Sequence, residues 1–295
     1  MSNLALAALF AVFIWWFSTG IVLLLNRMSR SAVRWSLGLS TLLSAAALVA
    51  LAHTAQQVSV ANVYCAFTCA LLVWGWNELT FLTGWITGPR TTAIAADLPE
   101  GQRFVQAVRA ILWHELGILA VGCTVVALTW NAPNQIGTWT FMVLWAMRIS
   151  AKLNLFFGVR NLSEQFLPAH LAYLESFFRR RPINLFFPFA VAAACVVLTL
   201  VVKRALDPST EAAQATGLAL VGTLLALAIL EHWLLILPLD ATALWRWAVK
   251  KPNTVQTPHQ PGFVSAPDSG SSQPAGAKAP SHESKSSHEK LFHAH

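Results

Sequence analysis

The sequence predicts an all-α membrane protein, a polytopic bundle of about seven transmembrane helices, and three observations carry that reading. Only 11% of its 295 residues are charged, against about 25% in soluble domains, so the chain lacks the means to cover a water-facing surface. Its hydrophobic residues, 56% of the total, fall into runs of about 20, the length that crosses a bilayer as a helix. Its basic residues gather in alternate connections between those runs, as topology signals do. The formal charge of +7 would otherwise suggest nucleic acid, but a basic face or stripe is missing.

Taken in order, the spans are expected at about 4–26, 34–53, 58–87, 104–130, 136–157, 183–203 and 213–238. The first run, Leu4 to Leu25, has no basic segment before it and exceeds a signal-peptide core, so it reads as a retained span. Span 2 carries a small-residue stripe, Ser36, Ser40 and Ser44, suited to close helix contact within the chain or with a partner subunit. Span 3 ends in Gly84 and Gly88, a spacing that also permits close approach. Span 5 has the weakest hydropathy, because Arg148, Lys152 and Asn154 interrupt it.

Orientation follows from the loops. Arg27, Arg30 and Arg34 lie between spans 1 and 2, Arg90 and Arg103 between 3 and 4, Arg160 and Arg179 to Arg181 between 5 and 6, and Arg246, Lys250 and Lys251 after span 7. The loops around Gln56 and Asn134 have no Lys or Arg, and only Lys203 and Arg204 break the alternation. The positive-inside rule then puts the N-terminus in the periplasm and the C-terminus in the cytoplasm.

Two segments are not expected to span. Within residues 159–181, Leu167, Leu171, Leu174 and Phe178 recur at near-helical spacing before three arginines and Pro182. That pattern predicts a cytoplasmic amphipathic helix at the interface, either a charge-anchored loop helix or a docking surface presenting Arg160, Leu171, Phe178, Arg179, Arg180 and Arg181. The division is thus a transmembrane domain over 1–250 and a tail over 252–295. The tail is rich in Pro, Ser, Gly, Lys and His, cannot bury a core, and is expected to be disordered. It holds His259, His282, His288, His293 and His295, which read as solvated tail residues rather than a metal site.

The candidate site is a polar layer inside the spans: Asn77, Glu78, His114, Glu115, Arg148, Lys152, Asn154, Glu231 and His232. Ionisable groups at membrane depth cost a few kcal/mol each and so mark function or obligatory pairing. Arg148 and Lys152, four apart, share a helix face. Counted from the cytoplasmic helix ends, Glu78, His114, Arg148 and Glu231 fall at similar depth, about 10–15 Å inward. The reading is one site. It could be a structural ion-pair network. It could also bind a divalent metal, since carboxylates and imidazoles are suitable donors; against this, adjacent His and Glu residues project about 100° apart. A third use is pigment ligation by His114 and His232, each preceded four residues earlier by an alanine, Ala110 and Ala228, that would leave room for a flat macrocycle. Movement of a proton, ion or small solute is the fourth. The cysteines Cys65, Cys69, Cys123 and Cys195 lie in apolar runs without metal-type spacing. No phosphate loop, nucleophile elbow or HExxH motif is present.

Several stretches carry a resemblance. They are Trp15-Trp16-Phe17-Ser18-Thr19-Gly20, Ala66 to Trp76, Phe81 to Gly84 with Thr87 to Arg90, Gly137 through Arg148 to Glu164, Phe166 to Pro182, and Leu224 to Trp233. Together, over residues 1 to about 250, these stretches resemble the PuhE-type photosynthetic complex assembly proteins of purple phototrophic bacteria. The resemblance implies a non-enzymatic integral membrane factor that helps assemble the reaction centre and its core light-harvesting antenna, linked to bacteriochlorophyll supply. It implies partners among those subunits, the lipid bilayer as surroundings, and a place in the bacterial inner (intracytoplasmic) membrane. It brings no catalytic residue. The competing expectations are a membrane enzyme using the His/Glu layer and a small-solute or ion transporter; the latter predicts internal repeats, which seven spans do not supply.

Overall fold

A computed structural model describes residues 3–25, 28–95, 98–162, 167–239 and 245. Its helices are α1 (Asn3–Leu25), α2 (Arg30–Thr54), α3 (Val60–Leu82), α4 (Glu100–Leu128), α5 (Ile136–Phe157), α6 (Phe186–Ala205) and α7 (Ala212–Leu234), with a 3-10 helix at Ala169–Phe177. All seven α-helices are long and apolar enough to cross a membrane. The chain is a multi-pass membrane protein, and no strand occurs among the described residues. The expected tail at 252–295 lies outside those residues.

Burial sorts the helices into a centre and a rim. α3 buries 56% of its apolar stretch and α7 50%, whereas the others bury 17–22%. Lipid is as apolar as leucine, so the rim helices keep large side chains outward, among them Trp35, Leu42, Phe189 and Leu200. α1, α3, α5 and α7 run in one direction. Ala7 and Ala11 of α1 meet Val63 and Phe67 of α3, Ile136 of α5, and Leu220 and Leu224 of α7. α2 and α4 run the opposite way, packing Ala47, Leu51, Ile118 and Val125 on Ala66, Val73, Trp74 and Phe141. α6 returns along α7 through Phe187, Val191 and Ala194 against Leu225 and Ile229. Of the serine stripe of α2, Ser36 and Ser40 are half-buried and bond their own helix. Ser44 is buried, on the side that lies along α3, and Trp76 of α3 donates to Thr41 at 2.9 Å.

At the end where α1, α3, α5 and α7 begin, short polar turns close the helices. Asn134 donates its backbone N–H to Ala55 O at 3.0 Å and its side-chain amide to Thr54 O at 3.0 Å, tying α2 to the α4–α5 turn. Beyond α6, the Ser209 hydroxyl and backbone N–H hold the Asp207 carboxyl below the usual carboxylate range.

The opposite, basic end carries a cap, and here the structure corrects two expectations. α3 stops at Leu82 rather than near residue 87. Gly84 adopts φ +79°, the left-handed conformation that ends helices, with Trp85 N–H donating to Thr80 O and Gly84 N–H to Phe81 O. Gly84 and Gly88 are therefore not a helix-packing pair. The chain then folds back on α4, where the His114 N–H donates to Thr87 O at 2.9 Å. Gly88 lies so close that a β-carbon there would sit 2.1 Å from Arg109 O.

The second correction concerns 159–181, expected as an amphipathic α-helix. Within the described part, the helix is the nine-residue 3-10 turn Ala169–Phe177, and its apolar side points inward. Leu171, Leu174 and Phe177 are buried with Phe81 and Ala110. Their spacing of three matches three residues per turn, whereas an α-helical reading favours Phe178 over Phe177. Ile94 N–H donates to Ser176 at 3.0 Å, and His170 Nε2 bonds Leu82 O at 2.9 Å. After α5, Val159 pairs with Arg180 in a parallel bridge, so the arginine run is anchored by its backbone.

Replacing Gly88 with alanine should lower thermal stability in detergent by about 1–3 kcal/mol, because the contacting atoms are backbone and cannot turn aside. Gly38→Ala, with nothing within 4 Å of the added carbon, should leave stability unchanged or slightly raised.

Candidate functional site

α5 supplies the polar side chains at its basic-end half on two faces. Arg148 and Lys152 point one way; Ser150 and Asn154, also four apart, point another. Arg148 reaches α3, where Nε and Nη2 each donate to a Glu78 oxygen at 3.0 Å, a two-point guanidinium–carboxylate pair. Lys152 reaches α4 and pairs with Glu115. Its ammonium also lies 5.8 Å from the Phe81 ring centre. Glu78 is four residues from the end of α3 rather than ten. The cap beneath it, not further helix, keeps it inside the protein.

The other face of α5 holds α7 and α6. His232 is buried on α7, with Nδ1 2.8 Å from Ala228 O and Nε2 2.8 Å from the Ser150 hydroxyl. The carbonyl only accepts, so Nδ1 carries the proton and Nε2 accepts from Ser150. Asn154 is fully buried and donates to Ser150 O at 3.0 Å. Its oxygen receives the Asn184 amide at 3.0 Å. Asn184 also donates to Gly158 O at 2.9 Å and accepts the Phe187 N–H at 3.0 Å, fixing the start of α6. Asn77, likewise buried, bonds Val73 O of its own helix at 2.9 Å.

Glu231 stands apart from both pairs. Its neighbour His232 turns inward to α5, and its own carboxylate accepts from the Trp15 indole of α1 at 3.1 Å. Trp15 in turn packs edge-on against Trp245, 5.4 Å between ring centres. Arg148 is within electrostatic reach of Glu115 and Glu231 as well as Glu78, so the layer is one charge system with three carboxylates and two cations.

His114 is buried on α4, its ring stacked on Phe81 at 4.4 Å and 29°, and its Nε2 has no hydrogen-bond partner among the described residues. The space expected beside Ala110 is filled by Gly88, whose added β-carbon would lie 2.6 Å from Ala110 O. The room expected for a flat macrocycle beside Ala110 is therefore taken by the chain itself. Ala228 is buried, and His232 Nε2, the nitrogen that could ligate, is taken by the Ser150 hydroxyl. No three His, Cys, Asp or Glu side chains converge on one point among the described residues. His114 and Glu115 face different neighbours, as do Glu231 and His232, in keeping with their angular offset on a helix.

The proposed docking residues at the basic end divide. Leu171 is buried, and Phe178 packs against the buried cluster formed by the cap. Arg160, Arg180 and Arg181 are exposed, and Arg179 pairs with Glu100. Arg103, by contrast, is buried, donates to Phe177 O, and stacks 4.6 Å over the Phe156 ring. Sequence reading took Arg103 as a topology charge and passed over Trp15, Ser150, Asn161 and Asn184. Asn161 caps α7, donating its side-chain amide to Leu234 O at 2.7 Å. The available signal was weak: an asparagine directly before or after a span is a cap candidate.

Among known proteins, the family model described as "protein of unknown function (DUF3623)" matches residues 1–256. A relative from Rhodobacter capsulatus, described as an uncharacterised 30.4 kDa protein in the puhA 5′ region, is 39% identical over 253 residues, covering 84% of this chain and 91% of the relative. No solved structure matches.

Substituting Asn184 by alanine should cost about 1–2 kcal/mol, since it removes the α6 cap and orphans buried acceptors on α5. Asn184→Asp should recover only part of this, because it keeps the acceptor for Phe187 N–H and loses both donated bonds. Thermal unfolding in one detergent checks both.

Proposed function

The chain belongs to the DUF3623 family, and on that footing we propose that it is a non-enzymatic assembly factor of the photosynthetic membrane. It acts on the reaction centre and core light-harvesting complex. The observation that carries the reading is the 39% identical relative encoded in the puhA 5′ region, which agrees with the resemblance of residues 1–250 to photosynthetic complex assembly proteins. Seven apolar helices support residence in a membrane. The basic clusters support a cytoplasmic position for the capped end and an N-terminus in the periplasm, and the resemblance supports a place in the inner, intracytoplasmic membrane.

The polar layer supports a scaffolding role over chemistry. Both cations are taken by carboxylates, and both nitrogens of His232 are occupied. His114 Nε2 is left without a partner among the described residues, but it is buried against Phe81 and joins no group of three metal donors. The link to bacteriochlorophyll then runs through the subunits the protein handles rather than through His114 or His232.

A tagged chain expressed in a phototrophic host and purified in mild detergent should carry reaction-centre or core antenna polypeptides. Deleting the gene should lower the assembled core complex several-fold, and Glu115→Gln should restore most of it. Any pigment in the preparation should survive His114→Ala and His232→Ala. A partner-free preparation with stoichiometric iron, zinc or manganese would contradict the proposal and favour a membrane enzyme.

A further inference from the structure

We propose that Glu231 is the anchor of a helix-docking site, which takes a partner transmembrane helix presenting an arginine or lysine at the same depth. The inference deepens the assembly reading and rests on the chain being a partner-binding protein.

Charge comes first. Glu78 has Arg148 and Glu115 has Lys152, which leaves Glu231 as the carboxylate of the layer without a cation in contact among the described residues. Its one hydrogen bond comes from a neutral indole. The Arg148 guanidinium acts on it only from a distance, and it is committed to Glu78 at both donating nitrogens.

Position comes second. α1 and α7 run side by side in the same direction, with Ala7 and Ala11 against Leu220 and Leu224 and Trp15 against Glu231. α1 continues from Trp15 to Leu25, about 15 Å further towards the basic end. Glu231 therefore lies well inside the apolar zone although α7 itself ends three residues later. A lipid headgroup amine does not reach that depth.

Exposure comes third. His232 is buried, yet Glu231 is exposed at the surface of the bundle. Leu230 and Trp233 beside it are 49% and 42% exposed. The surface is thus an acid set among apolar side chains. A carboxylate in this setting costs a few kcal/mol unless a donor covers it. An apolar helix carrying one basic side chain is complementary in both respects.

The test uses the purified full-length protein, donor-labelled, in phosphatidylcholine vesicles. Acceptor-labelled leucine–alanine helices of about 20 residues carry Arg, Gln or Leu as a guest at the depth of Glu231, and energy transfer reports association. The Arg helix should bind about tenfold more tightly than the Leu helix, with Gln between them. Glu231→Gln should bring the Arg preference to within about twofold, while Glu231→Asp, which keeps the charge, should retain it. Both variants are checked for unchanged elution and helicity; should the Gln variant misfold, a Glu guest binding no better than Leu to the native protein gives the same test of sign. Equal binding of Arg and Leu guests overturns the proposal, as does a preference that survives Glu231→Gln. Loss of the preference with photosynthetic subunits still co-purifying removes this site alone. A retained preference without those subunits removes the assembly reading alone.

Discussion

An ionised side chain inside a bilayer is costly unless it is paired, and for the two cations of α5 that requirement sets how the central helices sit. Arg148 and Lys152 occupy one face of α5 because they are four residues apart. Their carboxylates come from different helices, Glu78 from α3 and Glu115 from α4. The two pairs thereby fix the rotation of α3 and α4 about α5. Apolar packing alone specifies that rotation weakly, because lipid competes for the same surfaces. The remaining face of α5 does the same for α7 and α6 through Ser150–His232 and Asn154–Asn184.

The cap follows from the same constraint. Glu78 lies one turn from the end of α3, so further helix does not cover it. Gly84 stops the helix, and the returning chain lays Gly88 on the α4 backbone and Thr87 O on the His114 N–H. Phe81, Leu171, Leu174 and Phe177 close the floor. Lys152 and Glu115 then sit by an apolar floor, where the Phe81 ring lies near the ammonium and stacks on His114. The arginine run is joined to this region by the Val159–Arg180 backbone pairing, and Arg103 donates to Phe177 O.

Hydropathy and the positive-inside pattern made the seven spans legible, since length and charge are one-dimensional signals. Even the offset of Glu115 from His114 could be read from the 100° step. The cap could not. Extending span 3 through Leu82 to residue 87 looked sound because residues 83–88 are mostly uncharged, and a left-handed glycine leaves no hydropathy mark. The choice between Phe177 and Phe178 turned on a three-residue period that a nine-residue stretch barely displays. Pairing of Arg148 with Glu78 rather than Glu115 depends on helix neighbours, which hydropathy does not carry. The spacing of Ala110 and His114 suggested space that backbone from Gly88 fills, and at His232 the ring nitrogen that could ligate is taken by Ser150.

The central claim is that the α5 cations hold α3 and α4 by direct charge pairing. A double-substitution cycle on Glu78 and Arg148, each changed to glutamine singly and together, tests it by unfolding in a single detergent. The account predicts that either single change leaves an uncompensated charge, so the double variant is less destabilised than the sum by about 1–3 kcal/mol. Effects that add to within about 0.5 kcal/mol would mean the two side chains act independently, and would contradict it.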